Sequence, residues 1–325
     1  MNSSEIIAFE KCLPEKIVSN DDLSEFLETS DEWISSRTGI RQRHVSTGES
    51  TSDICANVAR GLLEKAGMSP EEVDIIIVAT ISPDYFTPST ACIVQEKIGA
   101  CNSFAFDINA ACSGFIYALS IGDKMIKSGI YNNALIIGGE IMSKIMNWED
   151  RSTCVLFGDG AGGALLKRSE EKQAVICEDL HTDASKYSAI LGHKVPVKSK
   201  FAESDYDGSE DYFTMDGRAV FNFAIKRVPE GINKIIEKAG ISFDDVKYIV
   251  PHQANLRIVE AVAKKLKLPM DKFFINIDKT GNTSAASVPV ALAQMTEEGL
   301  IEKGDKLIIT GFGAGLTWGT ILLEI

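Results

Sequence analysis

The sequence predicts an α/β fold built twice over, and three observations predict it. Helical and strand patterns alternate along the 325 residues, as they do when helices pack on a sheet. Residues 62–77 (LLEKAGMSPEEVDIII) are repeated 173 positions later as residues 235–250 (IIEKAGISFDDVKYIV). Each segment is a helix end stopped by glycine (Gly67, Gly240), a serine followed by an acidic turn, and a buried strand. A second pair, ALIIGGE (134–140) and KLIITGF (306–312), recurs at nearly the same spacing, both being buried strands that run into glycine. The halves meet near residue 170, where the charged stretch Lys167 to Lys172 suits a linker, so the chain divides into residues 1–170 and 171–325.

Composition narrows the function. Apolar residues make up 45% of the chain and charged residues 24%, the balance of a soluble globular protein. Apolar runs such as Ile75 to Ala79 are far shorter than the roughly 20 residues that cross a bilayer. The N-terminus lacks a basic segment followed by an apolar one, so a cytoplasmic protein with no membrane partner is expected. Seven scattered cysteines, never spaced CxxC, speak against a disulfide scaffold and against a structural metal site; most are expected to be reduced, buried and inert. A net charge of −13 disfavours general binding to nucleic acid.

In duplicated α/β sheets ligands gather at strand carboxyl ends, and equivalent loops of the two halves lie side by side. Polar residues at strand ends are therefore the candidates. Cys112, in DINAACSGF (107–115), sits at a strand-to-helix turn among small residues, where free amides and the helix dipole favour a thiolate and lower its pKa. His252, in IVPHQAN (249–255), ends the strand that repeats 75–78 and precedes a helix opened by Asn255. Asn282, in KTGNTSAAS (279–287), lies on a turn that the repeat pairs with the Cys112 turn. GFGAGLTWG (311–319) fits neither a dinucleotide nor a P-loop pattern, but amides freed by its glycines suit an oxyanion hole. Singly, each has an ordinary structural reading: a buried cysteine, a satisfied core histidine, a helix cap. Together they make a coherent acyl-transfer site.

These motifs, with SDEWISSRTGIRQRH (30–44), resemble the β-ketoacyl-[acyl-carrier-protein] synthase III family over essentially the whole chain, in order and register. The resemblance implies a duplicated thiolase-like fold, two pseudo-twofold-related α/β halves in helix–sheet–helix–sheet–helix layers. It implies an acyltransferase that joins an acyl-CoA primer to malonyl-acyl carrier protein by decarboxylative Claisen condensation, initiating fatty-acid synthesis. Cys112 then matches the nucleophile, and His252 and Asn282 the pair that stabilises the enolate. The amides of Cys112 and Ala314 form the oxyanion hole. Trp33 and Arg151 sandwich the CoA adenine, with Arg37 near its phosphates. Gln253, Ala254, Asn255, Leu256 and Arg257 dock the acidic carrier protein, with Lys264, Lys265 and Lys267 extending a basic patch. CoA thioester is a substrate, no cofactor is implied, and the family is homodimeric.

Two departures from the family pattern stand out. Ala314 replaces a common third glycine, which an amide donor tolerates if its φ is negative. Thr87, in YFTPS (85–89), replaces a Phe that many relatives with small primers place at the acyl-pocket floor across the dimer, so primers longer or more branched than acetyl are expected. The rival readings are a starter-unit synthase of the same fold with a CoA-bound extender, for a polyketide or signalling molecule, and a non-catalytic acyl-binding protein. A papain-like hydrolase shares the residue types but not the local CGSCW-like signature.

Overall fold

The computed structural model describes residues 3–171, 173–197, 199–201, 206–208 and 210–325. The strands that build its two main sheets are β1 (Ser3–Cys12), β2 (Ile75–Ala79), β3 (Phe104–Ile108), β4 (Asn133–Glu140), β5 (Gly160–Ser169), β6 (Val175–Thr182), β7 (Tyr248–Pro251), β8 (Lys306–Gly313) and β9 (Thr317–Glu324). The helices used below are α1 (Asp31–Thr38), α2 (Thr51–Ala66), α3 (Thr90–Ile98), α4 (Gly114–Lys127), α5 (Gly217–Ala239), α6 (Leu256–Leu266) and α7 (Ser287–Glu297).

The first sheet runs β1-β5-β4-β2-β3 and the second β6-β9-β8-β7. Their pairings match step for step. In each, the first strand lies antiparallel to a hairpin pair, and the hairpin's inner strand lies parallel to the next. Even the fifth place is marked in the second sheet, where Phe273 forms a single parallel bridge to Ile249. β2 and β4 are buried along their whole length, as expected for strands covered on both faces.

Sequence explains the layers. α4 and α7 are buried along most of their length and lie back to back between the sheets. Phe115, Ile116 and Leu119 meet Val288, Leu292 and Met295 there, with Ile77 above and Ile309 below. Each such side chain contributes roughly 1.5–3 kcal/mol relative to exposure. α2 and α3 cover the outer face of the first sheet with Ile54, Val58, Leu62 and Val94. α5 and α6 cover the second with Val228, Ile232, Ile235, Val259 and Val262. The repeat read from sequence ends each outer helix alike: α2 and α5 stop at Gly67 and Gly240, with φ of 61° and 63°. The layers are therefore helix–sheet–helix–sheet–helix, a duplicated thiolase-like fold.

Between the first strand and the first long helix of each half runs a long connection, residues 13–50 in one and 183–216 in the other. None of the cysteines is paired; contrary to expectation only Cys55 and Cys154 are fully buried, Cys12, Cys112 and Cys177 are partly buried, and Cys92 and Cys101, on and just beyond α3, are exposed. Among the described residues no helix is long and apolar enough to cross a membrane.

Candidate active site

Cys112 sits where β3 gives way to α4. Ala111–Ser113 form one tight turn, and Ala111 adopts a left-handed backbone (φ 47°) that swings the chain into the helix. The second half repeats this geometry 173 residues on. Ser284–Ala286 form the same turn, Ser284 has φ 49°, and α7 follows. Asn109, Ala111, Cys112 and Gly114 thus correspond to Asn282, Ser284, Ala285 and Ser287. No side-chain oxygen of the N-cap residue caps either helix; in the second turn the Ser284 amide is instead held by the Asn282 side chain.

The two turns meet at Cys112, whose Sγ lies 3.5 Å from Ser284 Oγ. Burial pushes the Cys112 thiol up to about 12; the Ser284 hydroxyl opposes this and the Glu140 carboxylate adds to it. The expected lowering by the helix end is therefore overturned, because desolvation of the thiolate outweighs it. The Cys112 side chain rests as a neutral thiol.

Asn282 is buried, and its Oδ1 accepts the Ser284 amide at 2.8 Å. That bond fixes the side chain and leaves Nδ2 to donate. His252 follows β7, its amide donating to the Thr310 carbonyl of β8 at 2.7 Å. Its ring packs edge-on against Phe312, centroids 5.2 Å apart, and Nδ1 lies 2.7 Å from Ser287 Oγ. Ser287 Oγ also accepts the Gln253 amide at 3.2 Å. The arrangement that satisfies all three groups has the Ser287 hydroxyl donating to Nδ1, which assigns the ring proton to Nε2. Burial holds the imidazole down to about 3, so it is neutral. No described residue accepts from His252 Nε2 or from Asn282 Nδ2.

The glycine-rich strand end of β8 packs straight onto the Cys112 turn. A Cβ at Gly313 would stand 2.7 Å from the Cys112 amide nitrogen, so only glycine allows this approach. Ala314 is absent from the left-handed region, which falls at Gly315 (φ 132°) instead, so the alanine is accommodated without strain. A cavity of about 600 Å³ opens beside the turn, lined by Asn109, Ala111, Ala314, Ile190 and Phe213. Thr87 is exposed and does not line it, although Tyr85 and Phe86 do.

The remaining expected residues fall into two groups. Trp33, Arg37 and Arg151 come together: the two guanidiniums lie 4.6 and 5.5 Å from the indole centre, and Arg151 also donates to the Glu28 carbonyl. The docking set does not hold as a surface. Gln253 is 1% exposed, its Nε2 donating to the Pro251 and Phe274 carbonyls at 3.0 Å, so it braces the loop rather than meeting a partner. Ala254 and Leu256 pack on the core. Asn255 caps α6 and donates to the Arg37 carbonyl, and Arg257, though exposed, donates to the Ser36 carbonyl at 2.8 Å. Sequence reasoning missed Ser284, Ser287 and Glu140. All three stood inside quoted motifs, and Glu140 showed the one available signal, a carboxylate ending an otherwise apolar buried strand.

A thiol, a neutral imidazole and a carboxamide gathered on a duplicated thiolase-like fold define a condensing acyltransferase. Comparison with known proteins makes the class specific. Family models described as 3-oxoacyl-[acyl-carrier-protein (ACP)] synthase III and its C-terminal part match residues 106–184 and 236–325. A β-ketoacyl-[acyl-carrier-protein] synthase III of Clostridium perfringens is 50% identical over 325 residues, covering all of both chains. The crystal structure of the Aquifex aeolicus 3-oxoacyl-[acyl-carrier-protein] synthase III superposes with a TM-score of 0.92 at 43% identity, over 99% of this chain and 100% of that one. The priming β-ketosynthase of the R1128 polyketide pathway also reaches 0.92, at 31% identity, over 99% and 96%. The chain belongs to the β-ketoacyl-[acyl-carrier-protein] synthase III family.

Proposed function

We propose that the protein joins an acyl-CoA primer to malonyl-acyl carrier protein by decarboxylative Claisen condensation, the step that starts a fatty-acid chain. The observation that carries this reading is the pair of unpartnered neutral donors, His252 Nε2 and Asn282 Nδ2, set on the half opposite an enclosed thiol. In the first half-reaction Cys112 attacks the acyl-CoA carbonyl, the new C–S bond forms, and CoA leaves. In the second, the malonyl thioester carbonyl accepts from both donors and carbon dioxide departs. The electron pair it leaves forms an enolate, which neutral donors stabilise without protonating it. The enolate carbon attacks the acyl-Cys112 carbonyl, whose oxyanion is held by the amides of Cys112 and Ala314. The C–S bond then breaks, and the released Cys112 thiolate takes up a proton from solvent to restore the thiol.

Trp33 and Arg151 offer two flat faces to the adenine of CoA, the purine entering where Arg151 now rests over the indole, and Arg37 meets the phosphates. Arg257 and the exposed Lys264, Lys265 and Lys267 face the acidic carrier. The chain works as a homodimer: β3 is a sheet edge carrying exposed Phe104, a surface suited to a second copy. Thr87, exposed near that edge, then bounds the partner's acyl cavity and admits primers beyond acetyl. The nucleophile belongs to residues 1–170, the two donors to residues 171–325, and the enzyme is cytoplasmic.

Intact-mass spectrometry after incubation with acetyl- to dodecanoyl-CoA tests this. A single acyl adduct on Cys112 is expected, with primers beyond propionyl accepted, and turnover with malonyl-acyl carrier protein exceeding that with malonyl-CoA. No adduct on Cys112 would sink the reading, and confinement to acetyl and propionyl would refute the role of Thr87.

A further inference from the structure

One buried charge has no part in the reaction as written. Glu140, the last residue of β4, is fully buried, and no described cation pairs with it. Its carboxylate is instead caged by five donors: the amides of Ile81 and Ser82 and the hydroxyls of Thr80, Ser82 and Ser284, at 2.5–3.2 Å. The two amides can only donate, and the three hydroxyls are free to donate as well, so the cage suits an ionised carboxylate. The other ionisable groups near it are Cys55 and Lys144. Cys55 is a buried thiol behind Gly139, and the Lys144 ammonium is occupied by Thr51, the Pro83 carbonyl and Asp84.

The direction of the Ser284 hydroxyl follows. A carboxylate cannot donate, so Ser284 Oγ–H must point at Glu140 Oε1, 3.0 Å away, and its lone pairs face Cys112. The thiol proton therefore lies on a path of two short steps, Sγ to Oγ at 3.5 Å and Oγ to Oε1 at 3.0 Å. Ser284 shares its left-handed backbone with Ala111 of the equivalent turn, so the turn itself does not require a hydroxyl at this position.

We propose that Ser284 and Glu140 form a proton relay for the acylation half-reaction. As Cys112 Sγ attacks the acyl-thioester carbon, its proton passes to Ser284 Oγ while the Ser284 proton passes to Glu140. When the tetrahedral adduct collapses and the C–S bond to CoA breaks, the relay runs backward and protonates the departing thiolate. Ser284, in contact with the reacting sulfur, is the catalytic residue; Glu140 acts through it and positions the hydroxyl. The relay answers a need the site creates, since a thiol held near 12 is almost wholly neutral at pH 7. Burial holds His252 near 3, whereas burial shifts Glu140 upward, and no contact joins His252 to the sulfur as Ser284 does. Ser287 and Phe312 also occupy two sides of the imidazole.

This inference rests on Cys112 being the acylated residue. The experiment is the single-turnover rate of Cys112 acylation by acetyl-CoA, followed by quenched intact mass between pH 6 and 9. It compares the full-length wild type with Ser284→Ala and Glu140→Gln. Alanine suits position 284, because Ala111 already adopts that backbone in the equivalent turn. Both variants should acylate about 100-fold more slowly at pH 7, the range of lost acid–base assistance. They should recover tenfold per pH unit as hydroxide supplies the base, while the wild type changes little. A Ser284→Ala enzyme at the wild-type rate overturns the relay, as does equal slowing at every pH, the mark of mere misplacement. If Glu140→Gln fails to fold, Ser284→Ala decides alone. A wild type that takes no acyl group on Cys112 would instead remove the underlying reading.

Discussion

The turn at 109–114 and the turn at 282–287 share a backbone and divide a chemistry. Both open with asparagine, pass through a left-handed residue and start a helix buried between the sheets. At the third step one carries Cys112 and the other Ala285; at the fifth, one carries Gly114 and the other Ser287. The first turn thus carries a thiol, with Asn109 and Ala111 beside it on the cavity wall. The second presents Asn282 as a donor, Ser284 as a contact to the sulfur and Ser287 as a brace for His252. Duplication supplied two copies of one strained scaffold, and the functions were separated by single side chains. What makes each turn reactive is its surroundings, since the two backbones are alike.

Exchanging the nucleophile between the turns gives the largest expected effect. Cys112→Ala should remove the acyl adduct and lower condensation at least about 1,000-fold. Adding Ala285→Cys should not restore it. Ala285 is 1% exposed and faces glycines rather than the cavity, so a larger side chain there costs about 1–3 kcal/mol and meets no substrate. An active double variant would show that the turns are interchangeable after all.

Removing the donors sharpens the division of labour. Asn282→Ala or His252→Ala should each slow decarboxylation of malonyl-acyl carrier protein about 100- to 1,000-fold, the usual cost of one lost oxyanion donor. The adduct on Cys112 should still form, because neither group delivers or removes the thiol proton. Loss of both half-reactions together would erase the distinction between the turns.

The third effect is on stability rather than turnover, and it separates the two groups by pH. His252 has its folded pKa depressed to about 3 from an ordinary 6.5. Above 6.5 its contribution is complete. As pH falls from 6.5 toward 3 the unfolded chain gains a proton the folded one refuses, so stability drops by up to about 1.4 kcal/mol per pH unit. Cys112 is raised from 9.0 to about 12, so its contribution is complete below 9 and is lost as pH climbs from 9 toward 12. Urea midpoints should therefore flatten on the acid side in His252→Gln and on the alkaline side in Cys112→Ala. Unchanged slopes would mean that neither group is buried in its neutral form.

The sequence made the duplication legible because its helix ends and buried strands recur as strings, and the structure returns them as matched sheets. It also brought out Cys112, His252 and Asn282, whose surroundings at strand ends are local. Glu140 left one trace, a carboxylate closing an apolar strand, but its pairing with Ser284 spans 144 positions that no short window contains. Gln253 failed for a related reason: its amide is spent on the Pro251 and Phe274 carbonyls, and nothing in PHQAN distinguishes that from exposure. The pKa of Cys112 was misjudged because a helix end can be read from sequence, whereas the depth at which it is buried cannot.

The two long connections, residues 13–50 and 183–216, leave the first strand of each half at the same point of the plan. One supplies Trp33 and Arg37; the other supplies Ile190 and Phe213 to the cavity wall. The fold therefore has two sockets, inherited with the duplication, into which recognition can be fitted while the reacting groups stay on the buried turns. What the enzyme grips is thus set on segments separate from the turns that carry Cys112 and Asn282.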